Sequence, residues 1–456
     1  ALLEYQEERQ LEVVKLQNAA RNSTEWFEHL DRYLKMDPMQ FAYTLLTRSQ
    51  RVSHENLRLR DPAWLAELER SLAETAFGQP VDEPVPPMFT PFRLREMSLR
   101  NRVVMSPMAM YSAVDGLPDD FHLVHYGARA LGGAALIITE MTCVSPEGRI
   151  TPGCPGIWND DQTAAWRRVT DFVHRTPDAR ICMQIGHSGS KGSTRVAWEG
   201  IDKPLETGNW PVVAPSNVPY TPENQVPIAL DRATMDVIRE EFVAAARRAE
   251  AAGFDMIELH CAHGYLLSGF ISPTQNRRSD DYGGSLENRL RYPLEIFRAM
   301  RAVWPAHKPM SVRISAHDWV GDEGVNPEEA VLIARAFKEA GVDLVDVSSG
   351  QVTKAEKPVY GRMFQTPFSD QIRNEVDIPT IAVGNIFEID HVNSIIAAGR
   401  ADLCALARPH QMDANWTLHA AAAQQIKQAP VPEQYKSGYF QLALNLSRAA
   451  QMAAAK

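Results

Sequence analysis

IELHCAHGYL, residues 257–266, opens as an apolar run of strand length and closes on His260, His263 and Tyr265, ring-bearing hydrogen-bonding groups spaced three and then two residues apart. That spacing shares one face of neither a strand nor a helix, so the three groups belong where a strand runs out into a loop. DMIELHCA (255–262) is one of eight such runs. The others are NRVVMSPM (101–108), AALIITEM (134–141), RICMQIGH (180–187), MSVRIS (310–315), LVDVSS (344–349), TIAVGN (380–385) and LCALAR (403–408). Helical periodicity fills the gaps, including 161–174, 234–252, 285–303, 327–340 and 388–398. Short strands alternating with amphipathic helices imply βαβ units and a parallel sheet. Eight of them fit an α/β chain folded as a (β/α)8 TIM barrel better than a doubly wound sheet. Residues 188–226, rich in Pro, Gly and Asn, read as an elaborated loop after the third strand.

The first eighty residues carry helix signals instead. Trp26, Phe27, Leu30 and Leu34 recur at helical spacing behind Asn22 and Ser23 as candidate caps, and Asp37-Pro38 and Asp61-Pro62 each join an N-cap to proline at the first helical position. QPVDEPVPPM (79–88) has four prolines that no helix or central strand holds. The expected organisation is a helical segment 1–78, a linker 79–87, the barrel 88–440 and a helical tail 441–456. ALLEYQEERQ (1–10) has neither an initiating Met nor the basic and apolar regions of a signal peptide, so the chain is expected to be part of a longer polypeptide.

Of the 456 residues, 45% are hydrophobic and 23% charged, and the formal charge is -10. No apolar run approaches the ~18 residues of a membrane span, and the acidic balance lacks the basic face that nucleic acid requires. The five cysteines are scattered with no C-x-x-C pair, which fits a reducing cytoplasm. A small-molecule enzyme in the cytoplasm, with neither nucleic acid nor membrane as partner, is the expectation; association into a homo-oligomer is expected as well.

In a barrel of this kind chemistry gathers at the carboxyl ends of the strands. The polar residues fall there: Pro107 to Tyr111 after the first strand, Gln184 and His187 at the third, the histidine stretch at the fourth, Arg313 on the fifth, Gly384-Asn385 at the seventh and Arg408 at the eighth. His-x-x-His permits three readings: a structural pair at a loop start, a metal site that still lacks further ligands, or two donors to an oxygen that gains negative charge, with Tyr265 as proton source. Arg313 on a central strand calls for an anionic partner, either a ligand such as a reduced flavin or a neighbouring carboxylate. Gly384, Asn385, Ala407 and Arg408 match the usual barrel phosphate position, against the alternative of a simple turn and a surface arginine, which their place at strands seven and eight disfavours.

These residues resemble the Old Yellow Enzyme flavoproteins, in their bacterial NADH:flavin oxidoreductase branch. The resemblance runs from Met88 to about Tyr439 and rests on FTPFRLREMSLRNRVVMSPMAMYS, ARALGGAALIITE, the histidine stretch, SPTQNRRSDDYGGSLENRLRYPLEI, SVRIS and ADLCALARP. It implies FMN at the barrel mouth. Pro107, Met108, Ala109 and Met141 would border the ring, Gln184 its pyrimidine edge and Arg313 its N1 side, while Gly384, Asn385, Ala407 and Arg408 would take the phosphate. His260 and His263 would hold the oxygen of an activated alkene, with Tyr265 as proton donor and Tyr111 as a second hydroxyl, in a ping-pong cycle with NADH or NADPH as hydride donor. Two positions depart from the pattern. Ala109 stands where this branch often has cysteine, and Ser437 in QYKSGY (434–439) where relatives often place an arginine that reaches a neighbouring subunit, with Lys436 as the nearest substitute. No cysteine follows Cys404, which excludes the iron–sulfur relatives.

Residues 17–62 resemble a second thing: the end of the monooxygenase half of bacterial fusions that join a FAD-dependent aromatic hydroxylase to an Old Yellow Enzyme domain. Salicylyl-CoA 5-hydroxylase/oxidoreductase and 2-aminobenzoyl-CoA monooxygenase/reductase are of this kind. The resemblance implies a CoA-thioester substrate, and FAD only in the half outside this chain, since no G-x-G-x-x-G follows a strand here. The alternatives are a general ene-reductase for small enones and, from another class, a catalytically idle barrel with 1–78 as a partner surface.

Overall fold

The computed structural model describes residues 2–176 and 178–454. Eight parallel strands close a barrel: β1 (Val103–Met105), β2 (Leu136–Ile138), β3 (Arg180–Gly186), β4 (Met256–Cys261), β5 (Met310–Ser315), β6 (Leu344–Ser348), β7 (Thr380–Ala382) and β8 (Leu403–Leu406). Each strand pairs with the next in sequence, and β8 pairs with β1 to close the ring. All eight apolar runs of the sequence are strands. Their near-continuous hydrophobicity follows from burial on both faces, by the barrel interior and by the helices outside.

The helices begin where the sequence supplies caps. Asn159, Asp231, Ser285 and Asn326 each accept a hydrogen bond from a backbone N–H in the first turn of helices Asp160–His174, Arg232–Ala251, Leu286–Val303 and Pro327–Glu339. The outer ring also holds Ile389–Ala397, expected at 388–398, and three helices absent from the sequence reading: Asp120–Leu131, Thr366–Val376 and Trp416–Ala423. The first, DFHLVHYGARAL, buries His122, His125, Tyr126, Gly127 and Ala130 while Phe121 and Val124 are exposed, and its cap Asp119 is backed by His122 rather than by Glu or Gln. The second has no side-chain cap at all.

The floor of the barrel is apolar. A hairpin of Phe92–Leu94 and Met97–Leu99 inserts Leu94, Met97 and Leu99 against Leu136, Cys182, Met256, Leu344 and Leu403 from five strands. This plug seals the amino ends of the strands. Chemistry is therefore confined to the opposite mouth.

The amino-terminal helices Leu2–Glu28, Pro38–Thr47, His54–Arg60 and Pro62–Phe77 lie before the proline-rich stretch. Asp37 and Asp61 cap as expected from their Asp-Pro steps. Asn22 and Ser23 do not cap, because the first helix runs through them without a break; Ser23 instead accepts a hydrogen bond from Arg48. Tyr43, Leu57, Leu65 and Leu68 share one core with Ala397 and Ala398 of the barrel helix Ile389–Ala397 and its end. Tyr33 donates to Asp370 at 3.1 Å and Arg400 to the Thr47 carbonyl at 2.8 Å. The last helix is Lys436–Ala454 and starts before residue 441. Among the described residues no helix is long and apolar enough to cross a membrane.

Candidate functional site

The mouth of the barrel opens into a cleft of about 1450 Å³. Every residue singled out in the sequence for cofactor or catalysis lines it: Pro107, Met108, Ala109 and Tyr111 after β1, Met141 after β2, Gln184 on β3, and His260, His263 and Tyr265 at β4. Arg313 on β5, Gly384 and Asn385 after β7, and Ala407 and Arg408 after β8 complete the set. His187 is the exception. Its ring turns away to accept a hydrogen bond from the Gly189 N–H, and burial lowers its pKa to about 4, so it holds the start of the long loop and does not face the cleft.

The odd spacing of the histidine stretch has a backbone cause. His263 and Gly264 both adopt left-handed conformations, with φ of 64° and 73°. The chain folds back on itself after the strand, which brings His263 and Tyr265 to His260 with ring centroids 5.2 Å and 5.1 Å away. Gly264 is required at the bend, since a Cβ there would stand 2.9 Å from the Gln351 carbonyl oxygen.

Hydrogen bonds fix the ring nitrogens. The Ala262 N–H donates to His260 Nδ1 at 3.4 Å, which places the His260 proton on Nε2 as a free donor. His263 Nε2 lies 2.7 Å from Ser348 Oγ, leaving Nδ1 for a ligand. Burial, reinforced by the Arg313 charge, drives both imidazoles well below their ordinary pKa, so both are neutral at physiological pH. Burial raises the Tyr265 and Tyr111 hydroxyls, so both stay protonated. Among the described residues no group of three or more His, Cys, Asp or Glu side chains could hold a metal, and the His-x-x-His pair gains no third ligand.

Arg313 combines the two partners the sequence left open. Its Nη1 approaches Asp346 at 3.4 Å, yet its buried Nε has no hydrogen-bond partner. Gln184, which lines the same cleft, donates to Glu258 at 2.9 Å. Across the mouth, Gly384 has φ 110° and Asn385 φ 53°. Arg408 is exposed and has neither an ion pair nor a hydrogen bond among the described residues. A guanidinium without a partner beside a glycine turn suits an anionic group.

Two residues of the site escape sequence reading. Lys191, on the long loop, is buried and donates to the carbonyl oxygens of His263 and Gln351, both at 3.1 Å, with its ammonium 4.1 Å from the Tyr220 ring centroid. Burial lowers its pKa to about 8. It clamps the loop after β4 to the loop after β6. Nothing in SGSKGS marks this lysine as buried.

Glu140, the last residue of LIITE, is the second. Its carboxylate accepts from the Met110 N–H at 2.8 Å, the Tyr111 N–H at 3.4 Å and the Tyr126 hydroxyl at 3.2 Å. His122 Nε2 stands 3.5 Å away with Asp119 on its other nitrogen. Burial alone would lower the His122 pKa, but the two carboxylates outweigh it and raise it. Glu140 thus holds the turn that presents Ala109 and Tyr111, the latter at φ 52°. Exchanging it for alanine strands two backbone donors and a hydroxyl, and is expected to cost about 1–3 kcal/mol per group left unpaired. Urea unfolding measures the loss, and a change under 1 kcal/mol would contradict this role.

Comparison with known proteins places this geometry in company. Residues 87–427 match the NADH:flavin oxidoreductase / NADH oxidase family. The NADPH dehydrogenase of Clostridium acetobutylicum is 40% identical over 353 residues, covering 77% of this chain and 99% of that protein. The NADPH dehydrogenase of Bacillus subtilis is 38% identical over 354 residues, with 77% and 99% covered. Morphinone reductase in complex with tetrahydroNAD superposes with a TM-score of 0.62 at 28% identity, over 74% of this chain and 90% of that one. A 2-naphthoyl-CoA reductase in complex with 2-naphthoyl-CoA, 21% identical with a TM-score of 0.65, covers 72% of this chain and 51% of its own and shares the fold.

Proposed function

Because the chain belongs to the NADH:flavin oxidoreductase / NADH oxidase family, we propose that its cleft holds FMN and that the enzyme reduces an activated C=C bond with hydride drawn from NAD(P)H. The residues suit that group. Arg313 offers a buried donor without a partner among the described residues to the electron-rich edge of the ring, and Gln184 lines the same cleft. Ala109 is exposed on the cleft wall and leaves a flat ring room to lie against it. The turn at Gly384 and Asn385 and the unpaired Arg408 would receive the phosphate. A Cβ on Gly384 would meet Gln365 Nε2 at 2.5 Å on a backbone that L-residues rarely adopt. Gly384→Val is therefore expected to weaken FMN retention at least tenfold, measured as Kd by fluorescence; an unchanged Kd would remove this turn from the phosphate site.

When bound, the flavin supplies two-electron chemistry, taking hydride from the nicotinamide and delivering it to the substrate's β-carbon. The chain's own residues do the rest. His260 and His263, neutral and preorganised, donate to the substrate's carbonyl oxygen and stabilise the charge that gathers there, the role of an oxyanion hole. Tyr265 keeps its proton and returns it to the α-carbon. Tyr111 adds a second hydroxyl, and Lys191 locks the His263 loop. The single observation that carries this reading is the neutral histidine pair turned onto Tyr265 above a buried arginine.

For substrate class we propose an enone-like or dearomatised aryl-CoA thioester, with the chain as reductase module of an aryl-CoA monooxygenase/reductase. Support comes from the resemblance of residues 17–62 to the monooxygenase/reductase fusions. The same residues would serve a general ene-reductase of small enones. Mixing the reduced enzyme with cyclohexenone or with the hydroxylated aminobenzoyl-CoA product separates the two. Faster reoxidation by the thioester supports the module reading, and faster reoxidation by the small enone reverses the order.

A further inference from the structure

Beneath the cleft floor lies a polar layer that contains more carboxylate than cation. Strand register sets Gln184 beside Glu258, Glu258 beside Ser311, and Arg313 beside Asp346. Glu258 and Asp346 are both fully buried. The oxygens of Glu258 accept from neutral donors, Gln184 Nε2 and Ser311 Oγ, each at 2.9 Å. Among the described residues Asp346 has no hydrogen-bond partner on either oxygen, and Arg313 Nη1 is 3.4 Å away.

Among the described residues no other charge balances the layer. The Cys182 thiol near it is raised far above its usual range by burial and stays neutral, and Cys261, out of phase with Glu258 on its strand, packs into the outer core. His260 and His263 above it are held neutral, and Lys191 is engaged with two carbonyl oxygens on the far side of them. Below lies the apolar plug with Met256 and Leu344. One guanidinium cannot neutralise two carboxylates in such surroundings, and a pair of acids so placed retains a proton instead.

We propose that Glu258 and Asp346 share one proton and act as a charge regulator for the flavin, so that loss of this proton couples reduction of the cofactor to uptake of another from solvent. Burial and the Asp346 charge push Glu258 up to about 8, and burial raises Asp346 as well. Below that pH the layer is neutral, with Arg313 opposed by one negative charge, and two electrons enter the flavin with the single proton of the hydride. Above it the layer carries an extra negative charge. Adding electrons nearby then raises the acid's affinity for its proton, and two protons accompany two electrons. Glu258 acts here as a positioning and charge-setting residue through Arg313 and Gln184. The inference rests on the flavin reading of the cleft.

Two measurements test it separately from that reading. Infrared spectra of the flavin-free chain at pH 6 are expected to show a protonated carboxyl band that fades as the pH rises through about 8 and that is missing in Glu258→Gln. Potentiometric titration of the FMN-loaded protein from pH 6 to 10 is expected to show the proton count per two electrons rising from one to two in the wild type. In Glu258→Gln and in Asp346→Asn, which each leave one carboxylate for one guanidinium, the rise is expected to shrink to whatever Lys191, with its pKa of about 8, contributes to all three proteins. A wild-type chain without the carboxyl band, or a proton count that is the same in all three proteins, overturns the proposal. Failure of the flavin reading has a different signature: a chain that takes up no FMN while the carboxyl band is intact.

Discussion

Exchanging His260 for alanine is expected to slow hydride transfer to an enone by about 10²–10³-fold, the usual effect of removing one oxyanion donor. The argument rests on preorganisation. The Ala262 N–H holds His260 Nδ1, so Nε2 carries the proton, and burial with the Arg313 charge keeps the ring neutral. A neutral N–H donor is present over the whole range in which the enzyme is handled, and the rate of this step is expected to show no inflection near pH 6.5, where an ordinary histidine titrates. Stopped-flow measurement of the enone-dependent reoxidation reads the effect directly. A variant within tenfold of wild type would remove His260 from the polarising pair, and a rate that fell with histidine protonation near pH 6.5 would contradict the neutral state.

Arg313→Met is expected to cost about 3–5 kcal/mol of unfolding free energy, because it leaves Asp346 and Glu258 in the barrel without a cation. FMN retention is expected to fall with it, since the buried Nε is the donor the cofactor edge would use. The double variant Arg313→Met with Asp346→Asn separates the two effects. It is expected to regain most of the stability, as the buried charge is gone, and none of the cofactor affinity. Guanidinium unfolding and flavin fluorescence give the two readouts. Full recovery of FMN binding in the double variant would show that Arg313 serves only to neutralise Asp346.

The barrel was legible in the sequence because strands buried on both faces read as unbroken apolar runs, and two Asp-Pro steps announced helix starts in the segment before it. Helices 120–131 and 366–376 were not, since the first buries His122, His125, Tyr126 and Ala130 while Phe121 and Val124 face solvent, and the second lacks a cap. Asn22 and Ser23 look like caps in sequence, but neighbouring helix signals on both sides carry the helix through them. The site shows the same division. Residues that present a side chain at a strand end, such as Gln184, His260 and Arg313, were found from their position. Residues that work through backbone groups of other loops were not: Glu140 reads as the polar end of a strand, and Lys191 as a solvated loop lysine. His187 misled because Gly189 claims its ring. Lys436, the candidate substitute for an arginine, pairs with Glu433 at 2.6 Å on the surface.

The chemistry of the cleft thus depends on two layers with opposite electrical characters. The upper one offers neutral, fixed donors to a developing negative charge, and the lower one balances a guanidinium against two acids that cannot both ionise. Anaerobic titration of the purified chain tests this account most directly. After reconstitution with FMN the protein is expected to bind one flavin per chain, to bleach on addition of NADPH, and to recover its colour when an enone is added. A chain that takes up no flavin, or a bound flavin that NADPH leaves oxidised, would contradict it.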